Sequence, residues 1–201
     1  MEPAPPAQEE ARFDLCVRRD GSILKRTPTT LVVSDAGIDY AIDGRSGLRP
    51  YSGLRSIRIQ LTSPAPHLSA RVELDFARGR PLFVYSHTPD GEISSEQNRV
   101  FVAFLMELHR RLGPQDRARI AFRSGVSPIR HKVLLVCSLV IAAPILFLLG
   151  LALAGQVPIG KVIWPIIPGG LLAAGLVKAA LWSRPGTYEP DRLPDGLLPS
   201  A

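Results

Sequence analysis

Residues 133–154 run for 22 positions without a charged side chain, and nothing else in the chain constrains its fold so strongly. As an α-helix rising 1.5 Å per residue, that run measures roughly 33 Å, slightly more than the ~30 Å hydrocarbon core of a bilayer. A helix so long and apolar on every side predicts a membrane span and excludes a chain that is soluble throughout. Pro144 falls mid-span, where lipid-buried helices tolerate a kink once neighbours satisfy the freed carbonyl. About 130 residues precede the run, enough for one folded core and not for two.

A second apolar run, residues 162–182, carries Lys178 as its one charge. Pro165, Pro168, Gly169 and Gly170 crowd its first third, which predicts a second spanning helix with an irregular start, or a re-entrant segment as the alternative. Lys178 lies one turn from the end and can send its ammonium out to the headgroups. Trp164 and Trp182 stand near opposite ends, where interfacial aromatics belong. Residues 155–161 leave room only for a tight turn, so the two helices are expected to be antiparallel neighbours. Small residues four apart (Gly169/Ala173, Gly170/Ala174, Gly175/Ala179) permit close backbone approach.

Cation placement gives an orientation. Arg117, Arg119, Arg123, Arg130 and Lys132 precede the first span with no acid among residues 117–132. Lys161 alone lies between the spans, and Arg184 and Arg192 follow the second. This bias predicts both termini in the cytoplasm. The N-terminal residues are rich in Pro, Ala and Glu and lack the basic start and apolar core of a signal peptide; residues 1–11 read as a disordered lead-in. Cys16 and Cys137 occupy segments of opposite character, which argues against a disulfide framework. The absence of a Cys/His cluster argues against a zinc site.

Between the lead-in and the spans, hydrophobicity alternates with period two. Phe13, Leu15 and Val17 share one face of a first strand, with Asp14, Cys16 and Arg18 on the other. Asp20-Gly21 signals a hairpin, followed by Ile23-Leu24 and then residues 30–33. Residues 34–37 read as a turn into Ile38, Tyr40 and Ile42, and residues 44–47 as a loop. Ile57, Ile59 and Leu61 then oppose Arg58 and Gln60, Val72, Leu74 and Phe76 repeat the pattern, and Arg78-Gly79-Arg80 turns the chain into residues 82–85. About seven short strands predict a small barrel or sandwich. The period then changes. Ser94 and Gln97 make a capping-box pattern, Val100, Phe101, Phe104, Leu105, Leu108 and Leu112 form a helical stripe, and Gly113-Pro114 ends the helix.

The order of elements, together with Thr30-Leu-Val-Val-Ser-Asp-Ala-Gly-Ile-Asp-Tyr40 and Pro50-Tyr-Ser-Gly-Leu-Arg-Ser-Ile57, resembles the pleckstrin-homology-like domains of bacterial membrane proteins. The resemblance covers residues 12–112 and the hairpin, and the Pro-rich end of the chain is similar to the cytoplasmic tails of such proteins. It implies a β fold of about seven strands capped by a C-terminal amphipathic helix, held at a bacterial inner membrane by two helices. The chain is then expected to divide into a lead-in (1–11), a cytoplasmic domain (12–112), a basic juxtamembrane linker (113–132), a transmembrane hairpin (133–182) and a cytoplasmic tail (183–201).

Signatures of catalysis are missing: there is no Gly-rich phosphate loop, no Gly-x-Ser-x-Gly and no His-Glu-x-x-His. His67, His87, His109 and His131 are scattered and read as solvated or interfacial, and Cys16 as an incidental half-exposed thiol. No catalytic residue, cofactor or metal is expected. The candidates for binding are cations. Arg18, Arg19, Lys25 and Arg26 flank the first hairpin, where some pleckstrin-homology domains bind phosphorylated inositol lipids, although that family's order of a Lys followed by Lys/Arg-x-Arg is missing here and Asp20 opposes them. Arg117, Arg119, Arg123, Arg130 and Lys132 would each gain about 1 kcal/mol beside anionic lipid, with Ile120 and Phe122 dipping into the interface. Nucleic acid is not expected, because no stacking aromatics accompany the basic stretch. The expected function is a non-enzymatic, membrane-anchored interaction or scaffolding module with an unidentified membrane-protein partner. The alternatives are an anionic-lipid headgroup sensor and an accessory subunit of a membrane enzyme or transporter.

Overall fold

Alternating β-branched and polar residues form strands in this chain wherever a neighbouring strand can take up the edge. The structure, a computed structural model, describes residues 10–18, 27–42, 45–61, 69–182 and 184–193. Seven strands come first: β1 (Ala11–Arg18), β2 (Thr27–Ser34), β3 (Gly37–Ile42), β4 (Arg45–Pro50), β5 (Leu54–Leu61), β6 (Ala70–Phe76) and β7 (Leu82–Tyr85). Helices α1 (Ser95–Arg111) and α2 (Pro114–Arg119) follow, then β8 (Ala121–Ser124), the long helices α3 (Pro128–Leu153) and α4 (Ile159–Trp182), and the two-residue strand β9 (Gly186–Thr187). The chain divides into two compact units. One joins the residues up to Ser124 with those from Gly186 onward, and the other is Gly125–Pro185.

The first unit is built on one nine-stranded sheet in the order β4-β3-β2-β1-β7-β6-β5-β8-β9. Neighbours are antiparallel except β5 and β8, which run parallel. Consecutive strands β4 and β5 have β3, β2, β1, β7 and β6 between them in the sheet, yet only the short turn Tyr51–Gly53 joins them. Six strand spacings on a flat sheet would be about 29 Å, beyond the ~14 Å such a turn can reach. The sheet therefore curls until its β4 end approaches β6. Arg49 of β4 bridges the approach: its Nη1 donates to the Arg78 carbonyl at 2.7 Å, and its guanidinium lies over the Phe76 ring. Gly37, at positive φ, lets β3 lie tight against this corner, since a Cβ there would run into the Arg49 carbonyl oxygen.

Inside the curl, Leu15, Val17, Leu31, Val33, Ile38, Ile57, Ile59, Val72, Leu74 and Val84 face α1, which contributes Phe101, Phe104, Leu105 and Leu108. Each such side chain contributes roughly 1.5–3 kcal/mol on leaving water. Phe13 meets Phe104 edge-on, with ring centroids 5.6 Å apart. Ser94 caps α1 by accepting from the Gln97 amide, as its sequence position predicts, while the Gln97 side chain turns away to the Asp14 carbonyl.

Several expectations need correction here. Residues 45–47, read as loop, belong to β4, whose pairing with β3 supplies the order that its own Gly and Ser do not. Arg58 and Gln60, on the polar face opposite Ile57 and Ile59, are buried, as is Cys16, which packs with Phe83 and Tyr85 on the face opposite the core. A polar network accounts for the first two. Arg71 donates to Gln60 Oε1 at 2.7 and 3.2 Å, and Glu73 takes the Arg58 ion pair. The stretch read as a juxtamembrane linker folds into α2 and β8, with Ile120 and Phe122 in the core rather than at an interface. The Asp20-Gly21 hairpin, Ile23-Leu24 and residues 1–9 lie outside the described residues.

The second unit is a helical hairpin. Ser127 caps α3 and Pro128 occupies its first turn, so the helix begins a turn and a half before the uncharged run. Among the described residues, α3 is the one helix long and apolar enough to cross a membrane, with very little of that stretch buried. Helix α4 is continuous through Pro165 and Pro168, without the irregular start that those prolines suggest. The two helices pack where Gly169 faces Ile145, and Ala173, Ala180 and Ser138 are buried. Of the three small-residue pairs, Gly169/Ala173 lies at that contact, whereas Ala174 and Ala179 are exposed. Elsewhere the hairpin exposes large apolar side chains, including Leu139, Val140, Phe147, Leu153, Trp164 and Leu171.

Candidate functional site

The most chemically varied place in the first unit is where the chain comes back from the helical hairpin. β9 pairs with β8 (Arg123 opposite Thr187, Ser124 opposite Gly186), and residues 188–193 continue across α1 and α2. Three rings meet under this returning strap. Phe122 lies 5.6 Å from both His109 and Tyr188, and His109 and Tyr188 are 5.8 Å apart. Leu193 packs against the same core. A Glu189–Arg192 bridge rounds the strap's end.

Hydrogen bonds fix the tautomer of the neutral His109 ring. Its Nδ1 sits 2.7 Å from the Leu105 carbonyl, which can only accept, so Nδ1 carries the proton and donates. Nε2 is left as an acceptor, and the Tyr188 hydroxyl donates to it at 3.0 Å. Burial is the main force holding the imidazole below its ordinary pKa; Arg117 pushes the same way, while the Leu105 bond and Asp191 oppose. Burial likewise raises the Tyr188 hydroxyl.

Arg117 organises the rest. Its Nε and Nη2 donate to the Leu112 and His109 carbonyls, satisfying the frayed end of α1, and its Nη1 pairs with Asp191 of the strap. Between α1 and the strap lies a groove of about 470 Å³, walled by Val102, Met106, His109, Arg110, Arg117 and Leu193. One turn away, Arg110 and Arg111 both bond Glu107, which lowers its carboxyl to about 2, the Arg110 bonds being the largest cause. Arg111 also reaches Asp35 at 2.7 Å and so ties α1 to the β2–β3 turn.

The cations singled out by sequence scatter. Arg117 and Arg119 serve the fold: Arg119 donates to the Tyr51 and Leu54 carbonyls and to Asp116, which pins α2 against the start of β5. Arg18 is buried at the end of β1, opposite Phe83. Arg19, Lys25 and Arg26 lie outside the described residues. Arg123, Arg130 and Lys132 are exposed, the first on β8 and the others in the first turns of α3. His87 and His109, read as solvated or interfacial, are buried, and His67 lies outside the described residues. Among the described residues no cluster of His, Cys, Asp or Glu could hold a metal ion.

Sequence reasoning missed Tyr188, Asp191 and the role of His109. A two-residue strand has no readable period, and the Pro-Gly-Thr-Tyr-Glu-Pro composition masks a docked segment as a tail. Compared with known proteins, the chain matches no protein-family model, and no curated protein is similar to it.

Proposed function

We propose that this chain is a membrane-anchored interaction module: a β domain of pleckstrin-homology-like design, held at a bacterial inner membrane by α3 and α4 crossing as a pair. Both termini lie in the cytoplasm, and the domain offers a docking platform to a membrane-protein partner.

The observation that carries this reading is the hairpin's covering. A soluble two-helix unit buries an apolar stripe and exposes polar residues. Here Leu139, Phe147, Leu153 and Leu171 stay exposed around the pair, which supports a hydrocarbon surrounding. The β8–β9 pairing supports two crossings over one, because the chain enters and leaves the hairpin at adjacent positions of one sheet. A single crossing would part these strands by the thickness of a bilayer. The exposed Arg123, Arg130 and Lys132 precede the uncharged run of α3, as the positive-inside bias requires, and would draw the domain toward anionic lipid. Arg117 and Arg119, occupied within the fold, are not part of that attraction.

Alkaline carbonate extraction of membranes from expressing cells tests the anchor: the chain is expected to stay with the pellet. Photo-crosslinking from exposed Met106 in intact cells is then expected to give one discrete adduct with a membrane protein. Release by carbonate would refute the anchor, and crosslinks to lipid alone would refute the platform in favour of a lipid sensor.

A further inference from the structure

We propose that residues 186–193 form a proton-released strap, docked on α1 while His109 is neutral and freed when His109 takes up a proton. The geometry sets this up. His109 has one side-chain bond to its own helix, through Nδ1 to Leu105, and one to the strap, through Nε2 to Tyr188. Beyond the aromatic contacts and the His109 bond, the strap is held by the two-residue β9 pairing, the Tyr188 amide bond to the Phe122 carbonyl, the Leu193 contact and the Arg117–Asp191 pair. Asp191 is 76% exposed in that pair, so its hold on the strap is weak.

The groups facing the ring come from each packed element. α2 supplies the Arg117 cation, the strap supplies the Asp191 carboxylate and the Tyr188 hydroxyl, and β8 supplies the apolar Phe122 ring. Arg117 disfavours a charge on the ring and Asp191 favours it, the Arg117 effect being the larger, so a proton arriving on Nε2 meets a buried wall without a new counter-charge. Tyr188 can rotate and accept from the new N–H, but the imidazolium remains dehydrated. Lifting the strap exposes the ring to water and removes that cost. By linkage, docking weakens about tenfold per pH unit below the open-state pKa near 6.5, levelling off at the lower value of the docked state. Strap release is independent of whether α3 and α4 cross a bilayer.

Amide hydrogen exchange on the full chain in detergent micelles, from pH 7.5 to 5.5 and corrected for intrinsic rates, reads the opening directly. The Tyr188 amide, bonded to the Phe122 carbonyl of β8, reports the strap, and Leu105 and Leu108 amides report α1. Strap opening is expected to rise by up to about fivefold between pH 6.5 and 5.5 with α1 protection unchanged. His109→Gln should lose the slope, while Tyr188→Phe and Asp191→Asn should open more at every pH and keep it. Three results would overturn the proposal: a flat wild-type profile, an undiminished slope in His109→Gln, or α1 opening in parallel with the strap. Should His109→Gln not fold, the wild-type and Tyr188→Phe profiles decide.

Discussion

Phe122→Ala tests most sharply whether residues 113–124 belong to the folded core. The ring is 8% exposed, stands edge-on to Tyr188 at 5.6 Å, and closes the core beneath His109. Truncating a buried Phe removes its transfer free energy and leaves a cavity, together about 3–5 kcal/mol. Some collapse is possible at this edge position, which places the expectation near the lower bound, about 3 kcal/mol. With a urea slope of about 1.5 kcal/mol per molar, the midpoint should fall by roughly 2 M. Pulse proteolysis of the full chain in mild detergent across a urea series measures that midpoint without relying on Trp164 and Trp182, which sit in the other unit. A flexible juxtamembrane linker would give a change within about 0.5 kcal/mol, a shift under about 0.4 M. That small shift would refute the placement of β8 in the core.

Other outcomes follow from the same geometry. Ser94→Ala removes the acceptor for the Gln97 amide and should destabilise the β unit by about 1 kcal/mol in the same urea assay, whereas Ser95→Ala should be near neutral. Glu107 has a folded-state pKa of about 2 against an ordinary 4.5, so its stabilisation is complete above pH 4.5 and is lost as pH falls toward 2. Acid titration by circular dichroism should therefore show a shallower loss below pH 4.5 in Glu107→Gln, starting from a less stable protein. Gly169→Leu should weaken the α3–α4 contact by about 1–3 kcal/mol in dodecyl sulfate titration, because even a Cβ there would sit 2.7 Å from the Ile145 Cδ1. Gly170→Leu, with nothing within 4 Å, should not.

What could be read from the sequence was whatever carried its own period. Phe101, Phe104, Leu105 and Leu108 announce α1, the alternation of Val72, Leu74 and Phe76 announces β6, and the uncharged run announces α3. Elements that exist only because a distant partner pairs with them were not readable. β4 has Ser46-Gly47 at its centre and becomes a strand through β3, while β8 is four residues long and is ordered by β5, over sixty positions away. Alternation also overstates exposure: Arg58 and Gln60 have the periodicity of a solvent face, yet a cross-strand network lets them be buried. The candidate site suffers most, since His109, Arg117 and Tyr188 are brought together from α1, α2 and the far side of the helical hairpin. No local pattern links residues nearly eighty positions apart.

The central claim is that the chain crosses a bilayer and returns to the side it left. Single cysteines at Gln115 and Gln156, both exposed, test it in cells carrying the chain with Cys16 and Cys137 replaced by Ala. A membrane-impermeant maleimide added outside should label position 156 in intact cells and reach position 115 only after lysis. Labelling of both positions before lysis, or of neither, would contradict the account.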